Sequence, residues 1–284
     1  MPPPPVPSDL TRLGRVAGLG LALASGAGAA LVAWRLRRLR GMALLPGHPG
    51  FYIYQLIAPP GRGLADNEVP LELVVFGDST AAGVGVDRAE DSMPVQLAER
   101  IAADRDRGVR VLSYGWAGAR AVDVVSDQLL RARHPLRPHL PDSRPPLPDA
   151  DIVAVSIGAN DVIRATSPRA FRLAMRRLLA AIHESAPRAE IVVIGIPRFR
   201  GALPGHEPLI MLGDLLGGLL RRVQRAETAA AGAIYVDLAH ELRGRLDPRT
   251  ASLASDAFHP GPAIYRAWAE VSAEVLEAAR REVR

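Results

Sequence analysis

A chain of 284 residues, 48% hydrophobic and 23% charged, can bury a sizeable core, so wholesale disorder is excluded. The formal net charge of +5 is local: residues 1–41 carry six arginines against Asp9, and the other 29 arginines are matched by 29 acids. A nucleic-acid footprint on the folded region is therefore not indicated, and with no cysteine there is no disulfide framework, thiolate metal site or cysteine nucleophile.

In chain order, residues 1–15 open with PPPPVP and read as a disordered or polyproline-type tail. From Val16 to Trp34 no residue is charged. A helix over this stretch is about 28 Å long, close to the hydrocarbon thickness of a bilayer. Trp34 followed by Arg35, Arg37, Arg38 and Arg40 suits interfacial anchoring. The expectation is a transmembrane anchor over 16–34. The alternatives are a cleaved signal peptide, with Arg12 and Arg15 ahead of it and small residues from Ala24 to Ala30, or a helix buried in the folded domain. More arginines follow the span than precede it, which favours a cytoplasmic domain over an exported one. Residues 35–70, rich in Gly and Pro, read as a linker that partly lies on the domain or the membrane surface.

Regular alternation starts at Leu71. The run LELVVFG predicts a buried strand that ends in Gly77-Asp78-Ser79 and a small-residue loop. A helix is expected over Met93–Ala103, a second strand over Val109–Tyr114 and a helix over about 121–131. Six prolines in 135–148 make an exposed connection. A third strand is predicted at Asp151–Ile157, ending in Gly158-Ala159-Asn160-Asp161, and a helix from about Ser167 to Glu184. A fourth strand follows at Glu190–Ile196, then a basic loop from Pro197 to Pro208 that could wall a substrate site, a helix to about Ala231, a fifth strand at Ala233–Asp237 and a closing helix over 262–282. Strands alternating with helices imply a parallel sheet covered on both faces.

A serine just past a central strand's carboxyl end sits where open α/β sheets bind ligands. To act as a nucleophile it needs a base, a group that orients the base, and donors for an oxyanion. Ser79 is the candidate; a capping or phosphate-binding serine is the plainer reading. Asn160 and the Gly118 N–H, both after strand ends on the same edge, are candidate donors, with turn or cap roles as alternatives. Of seven histidines, His259 stands apart because Asp256 precedes it by three residues. The carboxylate could hold the imidazole in one tautomer.

The set Gly77-Asp78-Ser79, Gly118, Gly158-Ala159-Asn160-Asp161 and Asp256-Ala257-Phe258-His259 resembles the four blocks of the SGNH hydrolases, or GDSL esterases/lipases, in the family's order and over about residues 71–280. The resemblance implies an α/β fold, a flavodoxin-like three-layer α/β/α sandwich with a parallel five-stranded sheet in the order 2-1-3-4-5. It implies a serine esterase with a Ser79, His259, Asp256 triad and an oxyanion hole of Ser79 N–H, Gly118 N–H and the Asn160 side chain, without metal or cofactor. Asp78 and Asp161 would be structural. The second block departs from the pattern: Tyr114-Gly115-Trp116-Ala117-Gly118-Ala119-Arg120 stands where many relatives carry an Asn before the glycine and a Ser beside it, with Gly115 as the fallback.

The anchor motivates an acyl-ester substrate of lipid-like kind, as for a lysophospholipase or thioesterase. A carbohydrate O-acetyl esterase or an acyltransferase could use the same site. A phosphate- or nucleotide-binding module built on Ser79–Gly85 lacks the glycine fingerprints of such loops and leaves Asp256 and His259 unexplained. An inactive membrane scaffold is disfavoured because every catalytic position holds the right residue type. The GxSxG elbow of α/β-hydrolases is absent.

Overall fold

The structure is a computed structural model that describes residues 53–135, 145–198, 209–246, 252–256 and 258–283. Six strands form one sheet: β1 (Tyr54–Ile57), β2 (Leu71–Gly77), β3 (Val109–Ser113), β4 (Ile152–Ser156), β5 (Glu190–Ile194) and β6 (Ile234–Val236). Their spatial order is β1-β3-β2-β4-β5-β6. The last five are parallel neighbours, and in order of appearance they run 2-1-3-4-5, as the resemblance implies.

The expectation of five parallel strands needs correction. β1 pairs antiparallel with β3, from Tyr54 opposite Leu112 to Ile57 opposite Val109, so the sheet is mixed and six-stranded. β1 lies inside the stretch taken for a linker. Four residues at an edge, half of them exposed, leave too short an alternation to distinguish from a Pro-flanked loop. In the fold they cover the open edge of β3, and Ile53 just before them is 2% exposed in the core.

Helices α1 (Met93–Arg105), α3 (Ala159–Ile163), α4 (Pro168–Ser185), α5 (Leu209–Ala230), α6 (Leu238–Glu241) and α7 (Pro262–Val283) complete the layers with α2 (residues 121–132). The helix expected over 121–131 is not regular: α2 begins as Ala121–Asp123, widens into a π turn at Val124–Gln128 and closes at Leu129–Ala132. α4 starts where Ser167 accepts a hydrogen bond from Ala170 N at 3.2 Å with Pro168 at its first position, a favoured pair of start signals. The short α3 and α6 do not register in the sequence pattern.

Alternation along β2 sorts its side chains into two cores. Leu71, Leu73 and Val75 pack with α1 and α7; Val74 and Phe76 pack with α2, α4 and α5. Because both faces are covered, Leu73 to Phe76 are all 0% exposed, each contributing on the order of 2 kcal/mol of hydrophobic burial. Among the described residues no helix is long and apolar enough to cross a membrane, and the segment 16–34 lies outside them.

Candidate active site

β2 ends on a backbone only glycine can supply. Gly77 has φ +150°, and a Cβ there would lie 2.0 Å from Ser156 O. On the β4 side, Asp78 N donates to Ser156 O at 3.1 Å. On the other side β3 has already ended, its Ser113 opposite Val75. The side-chain amide of Gln128 stands in for the missing strand, accepting from Gly77 N at 2.9 Å and donating to Gly77 O at 2.7 Å. Gln128 is fully buried at the end of the π turn, a type of helix irregularity common at functional sites.

Asp78 faces inward. Its Oδ1 accepts from Thr80 N and Thr80 Oγ1, both at 3.0 Å. Thr80 Oγ1 lies 2.7 Å from Ser156 Oγ, and since the threonine proton goes to Asp78, Ser156 is the donor there. Burial pushes the Asp78 carboxyl up to about 6, with the Thr80 bonds acting against it. Asp78 thus braces the turn, the structural role expected of it. The turn closes around Ser79 through Ala82 N to Asp78 O at 3.0 Å and Val84 N to Ser79 O at 2.9 Å.

His259 arrives on a hairpin-like loop held by Ala254 N to His259 O at 2.8 Å and Gly261 N to Ser252 O at 3.1 Å. Its Nδ1 donates to Asp256 Oδ2 at 2.5 Å. Asp256 Oδ1 accepts from Phe258 N and His259 N, each at 2.9 Å. Burial raises the Asp256 carboxyl, but the bonds from the His259 ring and the two N–H groups outweigh it, holding the pKa below the ordinary carboxylate value. With Nδ1 committed, Nε2 is the ring nitrogen left for proton transfer.

The Ser79 turn and the His259 loop touch. A Cβ on Gly85, at φ +104°, would lie 2.6 Å from Pro260 O and 2.9 Å from His259 Cβ. Tyr265 of α7 locks the contact, its hydroxyl donating to Val84 O at 2.6 Å. Chain elements far apart in sequence are thereby brought to the carboxyl edge of β2.

On the same edge, Asn160 opens α3 after β4 and is 6% exposed. One Nδ2 hydrogen goes to Ala119 O at 3.1 Å, which ties Asn160 to the loop after β3. Asp161 does the same by accepting from Ala121 N at 3.0 Å. Gly118 in that loop has φ +89° and open space where a side chain would project. Gly115, the fallback donor, is jammed instead: a Cβ would lie 2.5 Å from Ala81 Cβ. Its glycine serves close packing beneath the Ser79 turn, while Gly118 immediately precedes Ala119, whose carbonyl Asn160 meets.

So Ser79, Gly118 and Asn160 follow β2, β3 and β4 at one edge, and Asp256 with His259 docks there through Gly85. Sequence reasoning missed Gln128 and the Thr80–Ser156 brace. A glutamine sharing a helix face with Val124 and Ala132 was the sole available signal. In the basic loop expected to line a substrate wall, Pro197 and Arg198 are described and the rest lies outside the described residues. No cluster of metal-ligating residues occurs among the described residues.

Comparison with known proteins bears on the family and the fold. A GDSL-like esterase of Mycobacterium tuberculosis is 30% identical over 202 residues, which cover 70% of this chain and 60% of that protein, so the chain spans less than two thirds of its relative's length. A lipase from a goat rumen metagenome superposes with a TM-score of 0.55 at 17% identity, covering 72% of this chain and 97% of that one. An acetyl xylan esterase variant from Geobacillus stearothermophilus gives 0.51 at 18%, covering 75% and 96%. At such identities the structural likeness speaks for the fold alone. Residues 75–267, well over half of the chain and including every candidate site residue named above, match the GDSL-like lipase/acylhydrolase family, and the chain belongs to it.

Proposed function

We propose that the protein hydrolyses carboxylic esters through an acyl-enzyme on Ser79. Ser79 Oγ attacks the acyl carbon and its proton passes to His259 Nε2, while Asp256 holds the imidazole and stabilises the imidazolium. The tetrahedral oxyanion is met by Ser79 N–H, Gly118 N–H and the second Nδ2 hydrogen of Asn160. Collapse expels the alcohol, which takes the proton from His259. Water then attacks the acyl carbon, its proton returns to His259, and Ser79 Oγ leaves with that proton as the acid is released.

The observation that carries the reading is the paired Asp256–His259 couple packed on the turn that begins at Ser79. Its other features, a strand end clamped on both sides and two loops bridged by Asn160, suit a site whose donors must be held still. The uncharged stretch 16–34 supports a domain tethered to a membrane, the four arginines after it favour the cytoplasmic side, and the tether motivates lipid-like acyl esters or thioesters. Fold likeness extends to both a lipase and an acetyl xylan esterase, so acyl-chain length is a matter for assay. The test is hydrolysis of p-nitrophenyl esters from acetate to palmitate by wild type, Ser79→Ala and His259→Ala. Loss of more than about a thousandfold in kcat in both variants, with folding intact, is expected. Persistence of hydrolysis in Ser79→Ala overturns the assignment, and a preference for acetate over palmitate overturns the lipid reading while leaving the mechanism.

A further inference from the structure

A second concave site lies further along the same sheet edge. The segment after β5, the middle of α5 and the chain following β6 enclose a cleft of about 270 Å³. Arg198, Arg221, Arg222, Arg225, Arg243 and His240 line it. Among the described residues the acid in its wall is Asp237, paired with Arg225, and Asp214 acts on Arg221 from nearby.

Arg107 and Arg131 are likewise held by backbone carbonyls, Val69 O at 2.8 Å and Tyr114 O at 3.1 Å, but other arginines of the fold are matched by carboxylates. A comparable hollow at the opposite edge contains Arg105, but Glu190 and Glu277 each meet that guanidinium at 2.6 Å. Arg176 is likewise paired with Glu227 at 3.0 Å. In the cleft, by contrast, two guanidiniums are fixed by backbone carbonyls, which position them without neutralising them. Arg198 Nε donates to Ala239 O at 3.1 Å and Arg221 Nη1 donates to Pro197 O at 3.0 Å. Arg225 lies over the Tyr235 ring, 5.4 Å from its centroid. Arg222 and Arg243 have no acceptor among the described residues. Burial lowers the Arg221 pKa, Asp214 works against that and Arg198 adds to it, so the cleft holds like charges close together.

Like charges converge at a cost unless something negative relieves it. Guanidinium forks match the oxygens of a phosphate better than a point cation does, and each retains N–H groups to donate. The concavity suits a compact multivalent anion rather than a flat polymer. We propose that this cleft is a binding site for a phosphate-type oxyanion, distinct from the acyl site. β2, β4, β5 and β6 are successive neighbours, so the cleft at the ends of β5 and β6 is offset from the end of β2 by two to three strand spacings, about 10–14 Å at about 4.8 Å per strand. An anion held there leaves Ser79 free, and binding can be read apart from hydrolysis.

The test is calorimetry on the full chain with inorganic phosphate, pyrophosphate and dihexanoyl phosphatidic acid, at low and at physiological ionic strength. The comparison is with the double variant Arg222→Glu, Arg243→Glu. Wild type binds at least one probe, and the double variant loses about tenfold or more in affinity, since it removes two guanidinium donors and sets two carboxylates against the anion. Hydrolysis of p-nitrophenyl acetate is unchanged, because neither arginine belongs to the acyl site. Tighter binding of the phosphatidic acid assigns the anion to a lipid headgroup; tighter binding of phosphate or pyrophosphate assigns it to a soluble phosphate. Absence of binding by every probe at millimolar concentration overturns the proposal. So does an equal loss in a control pair on the opposite face of the sheet, Arg100→Glu with Arg281→Glu, since that would mark a diffuse charge effect.

Discussion

Replacing Gln128 by leucine isolates the clamp on the strand that carries Ser79. The substitution keeps the side chain's approximate volume, so little cavity opens, and removes the two bonds made to Gly77 at 2.9 and 2.7 Å. Gly77 N–H is then buried without a partner, a cost of about 1–3 kcal/mol. Gly77 O keeps a weaker donor, Trp116 N at 3.3 Å, so its loss is partial. The expected destabilisation is about 2–4 kcal/mol, a large share of the roughly 5–15 kcal/mol that holds a typical domain together. Urea unfolding should show a lower midpoint with the slope unchanged. The esterase assay should show kcat/KM reduced by about tenfold or more, because Gly77 is two residues from Ser79 and small displacements of a nucleophile are expensive. Gln128→Glu provides the comparison: protonated at low pH it restores both a donor and an acceptor, so its deficit should shrink as pH falls. A leucine variant with wild-type midpoint and wild-type kcat/KM would refute the clamp.

Two further predictions concern the same edge. Gly85→Ala puts a methyl 2.6 Å from Pro260 O at a left-handed backbone position, so the His259 loop must retreat from the Ser79 turn; kcat should fall by about a hundredfold while a thermal melt moves less than for Gln128→Leu. Asp78 has a folded pKa raised from its ordinary 3.8 to about 6, so it favours the fold most below its unfolded pKa, and that contribution is lost as pH rises through about 6. Asp78→Asn keeps an oxygen for Thr80 and removes the titration, so it should take about 3 kcal/mol out of the fall in stability between about pH 4 and 6, leaving the part due to Glu72, Glu99 and Asp161, which burial also raises. Asp256, lowered rather than raised, acts below its ordinary value and with the opposite sign, so it leaves that window clear. Denaturant unfolding across this range decides the matter, and an unchanged slope in Asp78→Asn rules the account out.

What the chain determined by itself were the features written in short periods and short motifs. The apolar run Leu73 to Phe76, the helical spacing from Met93 and the strand ends at Ser79 and Asn160 each report on neighbours a few residues away. They were enough to place five strands in a parallel sheet and to nominate residues at their carboxyl ends, while the spatial order of those strands was implied by the family resemblance. The spacing of Asp256 and His259 was likewise legible, because their hydrogen bond spans a single turn of chain. Tertiary structure decided the rest. β1 is a strand only because β3 offers it an open edge. Gln128 is an ordinary helical glutamine until folding sets it against Gly77, 51 residues away. Gly115 and Gly118 look alike in sequence; what separates them is Ala81 pressing on one and open space beside the other. The arginine cleft has no motif at all, since its basic residues come from the segment after β5, from α5, from the short α6 and from the turn that follows it. Local patterns encode which face a residue turns to the core. Which distant backbone group or charge waits on that face is fixed only when the layers close.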